Sequence, residues 1–133
     1  MSNLGTDMHD NLFRPCNKNR VFVSKVWGWE DWIVNKPEYC GKKLFIKKGK
    51  QTSWHYHKIK DEVLYLESGE MEIVYGIKDG FLEARRQTMT PGDSFHVEIG
   101  LRHRLIALQD CCIFEFSTEH FDEDSHRLPT SND

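Results

Sequence analysis

Three features that would place the protein in a large class are missing from its 133 residues. No apolar run comes near the ~20 residues that a membrane-spanning helix needs. The polar opening stretch lacks the charged start and the apolar segment of a secretory signal, so we expect a cytoplasmic protein with no membrane partner. The net charge of −3 shows no basic surplus, which argues against a nucleic-acid partner.

The cysteine patterns of zinc knuckles are also missing. The chain has four cysteines, and no two of them form a C-x-x-C pair. Cys111 and Cys112 are neighbours, so on a strand they would point to opposite faces and would rarely bridge each other. We therefore expect reduced thiols, two or three of which fill the core.

No segment shows a convincing helical period. Short segments in which apolar and polar residues alternate are found instead. "EVLYLES" and "EMEIVYGI", for example, are separated by a turn at Ser68 and Gly69, a pattern typical of a hairpin. About ten such strands with regular turns predict an all-β fold, a small antiparallel jelly-roll barrel. We expect a flexible arm over 1–20, the barrel over 21–118, and an acidic tail on the surface over 119–133.

The chemistry-bearing residues cluster in "GKQTSWHYHKIKDEVLYLESG". Side chains on a strand alternate between faces, so His55 and His57 point the same way. A turn after them would return the next strand and bring Glu62 beside them. His103 opens a strand further on, after a turn at Gly100. Three imidazoles and one carboxylate predict a site for one divalent transition metal ion (Fe, Mn, Co, Ni or Zn), unless these residues are only exposed strand positions.

The spacing of these residues resembles that of a known superfamily, the cupins. The first cupin motif is matched at every defined position, by Gly49-x5-His55-x-His57-x4-Glu62-x6-Gly69. The second is matched by Gly92-x5-Glu98-x-Gly100-x2-His103, with Glu98 where the family usually has proline. The usual asparagine after the last histidine is not evident. The resemblance implies a small jelly-roll barrel with a metal held in its mouth by His55, His57, Glu62 and His103.

A narrower resemblance covers roughly residues 25–128. "KVWGWEDWIV", "CGKKLFIKKGKQTSWHYH" and "GLRHRL" look like segments of the cupin domain in type II mannose-6-phosphate isomerases. The chain departs from that domain at His55, where the isomerases usually carry glutamine. The guanylyltransferase domain that is often fused to it is also missing. The resemblance implies a metal-dependent isomerase or epimerase that acts on a sugar or sugar phosphate.

Isomerisation between C1 and C2 needs an electrophile, a base and a cationic anchor. The predicted base is Glu115, which shares a strand face with Cys111 and Ile113 in "CCIFEFST". Burial among apolar walls would raise the pKa of this carboxyl group. The alternative is that Glu115 is solvated and the phenylalanine face forms the core.

The predicted substrate-binding residues are Lys42, Arg104 and Tyr75. Lys42 shares a face with Leu44 and Ile46, so its ammonium group would enter the cavity as an anion anchor. Arg104 lies next to the last predicted ligand and would belong to a basic rim. Tyr75 alternates with other apolar residues and is expected in the core or the cavity wall. The turn lysines Lys58 and Lys60 could join the rim, although such lysines are usually solvated.

Two other functions fit the same residues. Three histidines and a glutamate would also suit a non-haem iron oxygenase, since they leave room for O2 and a substrate. A non-catalytic sugar-binding cupin would use the cavity without turnover. In each case the partner is a small molecule. The four tryptophans and the aromatic strands exceed what one small barrel can bury, so we expect a homodimer.

Overall fold

The computed structural model describes residues 20–130, which form eleven strands and two 3-10 turns. The predicted arm lies outside this part apart from Arg20, and so do Cys16 and residues 131–133. The strands are β1 (Val21–Lys25), β2 (Gly28–Lys36), β3 (Tyr39–Ile46), β4 (His55–Tyr56), β5 (Glu62–Ser68), β6 (Met71–Gly76), β7 (Arg85–Met89), β8 (Ser94–Val97), β9 (Arg102–Ala107), β10 (Cys111–Ser117) and β11 (His126–Arg127). The 3-10 turns are Phe81–Glu83 and Asp122–Asp124.

The strands form two antiparallel sheets with a shared core. One sheet has the order β1-β2-β3-β10-β5-β8, and the other has the order β11-β4-β9-β6-β7. Buried side chains from both sheets meet in one cluster, which includes Ile46, Leu66, Ile73, Leu105 and Ile113. The prediction of an all-β antiparallel jelly-roll barrel is confirmed. No helix within residues 20–130 has the length and apolar character to cross a membrane.

Alternation along the strands separates the core from the outer faces. On β3, Cys40, Lys42, Leu44 and Ile46 are buried, while the residues between them are partly exposed. The pattern has a period of two, as expected for a strand with one face against the core. Lys42 is therefore directed inward with the core residues, which is where the sequence predicts it.

The predicted hairpin at Ser68 and Gly69 is wrong. β5 pairs with β10 and β8, whereas β6 pairs with β7 and β9, so this turn carries the chain from one sheet to the other. Gly69 has a φ of 91°, and a Cβ at this position would collide with the carbonyl oxygen of Asp110. Turn residues predict where a strand ends, but they do not specify the pairing partner of the next strand.

The outer face of the six-stranded sheet carries stacked aromatic rings. Phe22 packs on Trp29, which stacks on Phe45 with ring centroids 5.6 Å apart. Phe114 stacks on Phe116 further along the same face. Phe22 and Phe116 are both more than half exposed. Cys40, Cys111 and Cys112 are free thiols, in agreement with the predicted reduced state for these three residues.

Candidate metal and ligand site

The two sheets enclose a cavity of about 760 Å³ at the end where the predicted ligands lie. His55 and His103 are direct cross-strand neighbours on β4 and β9, and His57 follows β4 on the same sheet. Glu62 is the first residue of β5 on the opposite sheet. All four side chains line the cavity, so the fold brings together residues that are up to 48 positions apart in sequence.

The three imidazole rings are held with one nitrogen each free to bind a ligand. His55 Nδ1 donates to the carbonyl oxygen of Ser53 at 2.9 Å, and His103 Nδ1 donates to that of Leu101 at 3.0 Å. His57 Nδ1 donates to the carbonyl oxygen of Asp124 at 3.0 Å. A backbone partner at Nδ1 fixes the ring and leaves the Nε2 lone pair available.

Burial keeps these imidazoles neutral. Burial, followed by the charge of Lys60, lowers the pKa of His57 to about 3. Burial also lowers the pKa of His103 to about 4, and burial and the neighbouring His103 hold the pKa of His55 well below its ordinary value. A neutral imidazole is the form that binds a metal ion.

Glu62 completes the set with a buried carboxylate. Its Oε2 lies 3.7 Å from His57 Nε2, and its Oε1 lies 3.8 Å from His103 Nε2. Burial, with repulsion from Glu115, raises the pKa of Glu62 to about 7. Among the residues that the structure describes, Oε2 has no hydrogen-bond partner of good geometry. The ammonium group of Lys60 lies 3.1 Å from this oxygen, and a bound metal ion would add a second positive charge beside it.

The residues present therefore fit a divalent metal ion. One ligand nitrogen from each of His55, His57 and His103 lies within 4.8 Å of the other two. Each ring is neutral and oriented, and the carboxylate beside them has an unsatisfied oxygen. Three nitrogens and one oxygen suit an ion between Fe and Zn, and they leave coordination positions for a substrate.

Lys60 lies buried inside the site, whereas the sequence left it either in a basic rim or solvated in its turn. Its side chain is 3% exposed, and Nζ lies 2.9 Å from Glu115 Oε2 and 3.1 Å from Glu62 Oε2. Nζ also donates to His120 Nδ1 at 3.2 Å. Although burial alone would lower the pKa of Lys60, the two carboxylates outweigh it and raise the pKa. The ammonium group thus separates two buried anions.

Glu115 is buried as predicted, but its pKa shifts in the opposite direction. Burial alone would raise this pKa, yet the charges of Lys60 and Lys42 outweigh burial and lower it to about 2. The expectation of a raised pKa is wrong because it took no account of the ammonium groups on the neighbouring segments. Lys60 and Ser117 both donate to Oε2, at 2.9 and 3.0 Å. Oε1 takes part in neither hydrogen bond.

The cavity wall next to Glu115 carries Lys42, Glu30 and Trp32. Lys42 Nζ lies 3.7 Å from Glu30 Oε1 and 4.3 Å from the centre of the Trp32 ring. The Trp32 indole nitrogen donates to Glu30 Oε1 at 2.8 Å, and its ring meets His120 edge-on. Lys42 thus faces the cavity, in the position that an anion anchor requires.

Arg104 lies in the cavity lining, and Tyr75 packs against the core, which is one of the two positions that the sequence predicts for it. Arg104 leaves β9 on the side opposite His103, donates to the carbonyl oxygen of Thr52 at 2.8 Å, and lies over the ring of Phe81. Tyr75 pairs with His103 across β6 and β9, but its ring packs on Phe95 with centroids 5.0 Å apart. Arg104 therefore belongs to the cavity lining with its Nε held at Thr52, whereas Tyr75, among the described residues, is not part of this lining.

The segment after β10 closes the site, although the sequence predicts a surface tail. Asp124 is 3% exposed, and its carboxylate accepts backbone N–H bonds from Lys58, Ile59 and Lys60 at 2.8 to 3.1 Å. Its carbonyl oxygen holds the ring of His57. β11 adds a short strand beside β4. Asp124 thus positions both a predicted metal ligand and the turn that carries Lys60.

Sequence reasoning missed His120, Asp124 and the burial of Lys60. The spacing of "HYHKIKDE" puts Lys60 between two predicted ligands, and this was the one available signal for its burial. The acidic composition of the last segment concealed Asp124, since acidic runs are usually solvated.

Comparison with known proteins agrees with this geometry. A family profile described as "Cupin domain" matches residues 44–115, more than half of the chain. The chain belongs to the cupin family. No curated protein matches this cupin in sequence.

Solved structures share its fold at low sequence identity. The capsular polysaccharide assembling protein CapF from Staphylococcus aureus aligns with a TM-score of 0.71 at 17% identity, over 82% of this chain and 34% of CapF. Oxalate decarboxylase from Bacillus subtilis aligns with a TM-score of 0.69 at 16% identity, over 83% of this chain and 30% of that enzyme. This cupin spans about a third of the length of either protein.

A single-domain relative matches over nearly its whole length. An RmlC-like cupin from Shewanella frigidimarina aligns with a TM-score of 0.66 at 17% identity, over 84% of this chain and 94% of that one. Identities this low establish the fold alone.

Proposed function

We propose that this cupin is a metal-dependent isomerase or epimerase that acts on a sugar or sugar derivative. The observation that carries the proposal is the convergence of three neutral imidazoles and Glu62 beside the buried carboxylate of Glu115, inside one cavity. The resemblance to the cupin domain of type II mannose-6-phosphate isomerases supports the same class of reaction.

His55, His57, His103 and Glu62 would hold the metal ion. When bound, the ion supplies a Lewis acid that polarises the carbonyl and hydroxyl oxygens of the substrate. The protein contributes fixed ligand orientations through the three Nδ1 hydrogen bonds to backbone carbonyls. The largely buried walls of the cavity limit the access of water to the reacting atoms.

Glu115 is the proposed base. Lys60 and Ser117 hold its Oε2, so the carboxylate has one fixed orientation and Oε1 is the atom left to exchange a proton with the substrate. A carboxyl group with a pKa of about 2 is a weak base, so proton removal depends on prior polarisation of the substrate. Lys60 keeps the carboxylate ionised and ready to accept a proton.

Proton exchange with solvent tests the proposal directly. Metal-loaded protein is incubated in D2O with hexose phosphates, uronates and nucleotide sugars, and proton spectra are followed. We expect deuterium at C1 or C2 of at least one compound. Glu115→Gln is expected to slow exchange by about 10²-fold or more, since general bases contribute factors of this size. Metal content should stay unchanged.

The other outcomes identify the competing functions. Tight binding of one sugar without exchange would favour a binding cupin. Aerobic O2 uptake that depends on Fe(II), without exchange, would favour an oxygenase. If proton exchange persists in Glu115→Gln but is lost in His57→Ala, another residue is the base, and the proposed reaction class still holds.

A further inference from the structure

Lys42 is a buried cation whose hydrogen bonds are not satisfied. Its side chain is 1% exposed and lines the cavity. Within residues 20–130, Nζ has no hydrogen bond; its neighbours are Glu30 Oε1 at 3.7 Å and the face of the Trp32 ring at 4.3 Å, and the ring offers no hydrogen-bond acceptor oxygen. Lys60, equally buried, has two donor contacts and an ion pair. A buried ammonium group without acceptors is costly, which indicates that a ligand supplies them.

The sheet places this cation at a defined distance from the metal site. β3, β10 and β5 are adjacent, and Lys42 pairs directly with Glu115 on the middle strand. Neighbouring strands lie about 4.8 Å apart, and Glu62 pairs with Ser117, two positions along from Glu115, so the Cα atoms of Lys42 and Glu62 are about 12 Å apart. The two side chains extend into the cavity and shorten this gap, and a chain of about six carbons with its terminal oxygens, with bonds of ~1.5 Å, spans about 9 Å of it across Glu115.

The buried charges of the cavity determine which charge a bound anion should carry. Two ammonium groups, Lys42 and Lys60, face the carboxylates of Glu30, Glu62 and Glu115 in the buried part of the cavity. The other charged side chains of the lining are exposed (Lys25, Asp122 and Arg127) or hydrogen-bonded to the backbone (Arg104). A divalent ion at the histidines would leave the buried set with one net positive charge. One carboxylate on the ligand would neutralise that charge, whereas a phosphate dianion would exceed it. Unbalanced charge is expensive in a buried site.

We propose that Lys42 anchors the carboxylate of a small acid that carries hydroxyl or carbonyl oxygens, a sugar acid of about six carbons. The acid group lies at Lys42, and the oxygens at the far end lie toward the histidines. Glu115 then lies alongside the carbons between them. This inference rests on the proposed function for its reacting end, whereas the anchor depends on Lys42, the buried charges of the cavity and the bound ion.

Calorimetric titration of the metal-loaded protein tests the anchor. The probes are glucuronate, galacturonate and mannuronate, together with the neutral hexose and the hexose 6-phosphate that correspond to each. We expect at least one uronate to bind tenfold or more tightly than its neutral hexose and its phosphate. Lys42→Met should reduce that affinity about tenfold or more, because a charge-assisted hydrogen bond is lost. Lys42→Arg should keep the preference for the acid.

The neighbouring lysine provides a matched control. Lys43 lies one position along β3 on the outer face, over the ring of Phe114, so Lys43→Met should bind the acid as the wild type does. Equal binding of an acid and its hexose, tighter binding of a phosphate, or no binding of any uronate would each overturn the inference. The preference for the acid is measured on the wild type. The outcomes above would therefore overturn the inference even if the Lys42→Met protein did not fold.

The same samples separate this inference from the proposed function. Lys42-dependent binding of a uronate without proton exchange would support the anchor and refute the isomerase. Exchange on a neutral sugar or a phosphate, with no preference for acids, would support the isomerase and refute the anchor.

Discussion

Lys60→Met should destabilise the protein strongly, because it removes the cation between two buried carboxylates. Glu62 and Glu115 lie 3.1 and 2.9 Å from Nζ, and their side chains are 4% and 6% exposed. Breaking a buried ion pair by removing one partner costs about 3–5 kcal/mol, because a charge remains without compensation. We expect the free energy of unfolding, from urea denaturation with a chelator present, to fall by about that amount. A bound divalent ion should reduce the loss, since it neutralises Glu62.

Two companion variants separate the ion pair from a general effect of the substitution. Lys58→Met changes an exposed lysine in the same turn, so the free energy of unfolding should stay within about 0.5 kcal/mol of the wild type. Adding Glu115→Leu to Lys60→Met removes one uncompensated buried charge, so part of the lost free energy of unfolding should be recovered. If the free energy of unfolding of Lys60→Met lies within about 1 kcal/mol of the wild-type value, the two carboxylates are solvated and our account of the network is wrong.

Three further predictions concern the closing segment, acid and assembly. Asp124→Asn should weaken divalent-ion binding about tenfold in metal titrations, whereas exposed Asp122→Asn should not, because Asp124 positions His57 and the following turn. Thermal unfolding of the metal-free protein should show stability that falls as pH falls from about 7 toward 2. The lowered pKa values of His55, His57, His103 and Glu115 cause this loss, because the unfolded chain takes up protons that the folded protein does not; the raised pKa of Glu62 offsets part of it, and a stability maximum near pH 5 would contradict this. Light scattering should show a homodimer that Phe116→Asp weakens, because the aromatic outer face is exposed, and a wild-type mass near 15.7 kDa would refute it.

The sequence predicted a shared face for His55 and His57 because that relation is local. His55 and His57 share a face through the alternation of a strand, and this relation holds whichever strands become neighbours. The inward position of Lys42 follows from the same rule. The glycine turns predicted strand ends for the same reason, since a backbone with positive φ favours glycine wherever it occurs.

What the sequence could not show depends on contacts between distant segments. The pKa of Glu115 is set by Lys60, 55 positions earlier, and that ammonium group comes from a turn whose composition is typical of the surface. Asp124 enters the site because its carboxylate accepts three N–H groups from the turn after His57. Neither contact follows from a period or a motif, because each arises only when the sheets have packed.

Metal analysis of gently purified protein tests the central claim most directly. We expect about one divalent transition ion per chain, with occupancy more than tenfold lower in His57→Ala, because loss of a ligand exceeds loss of an outer-sphere partner. His96→Ala is the matched control, since this exposed histidine pairs with Asp61 outside the cavity and should leave occupancy unchanged. Protein that is free of metal and takes up no ion from Fe to Zn, or equal occupancy in His57→Ala and the wild type, would contradict the account.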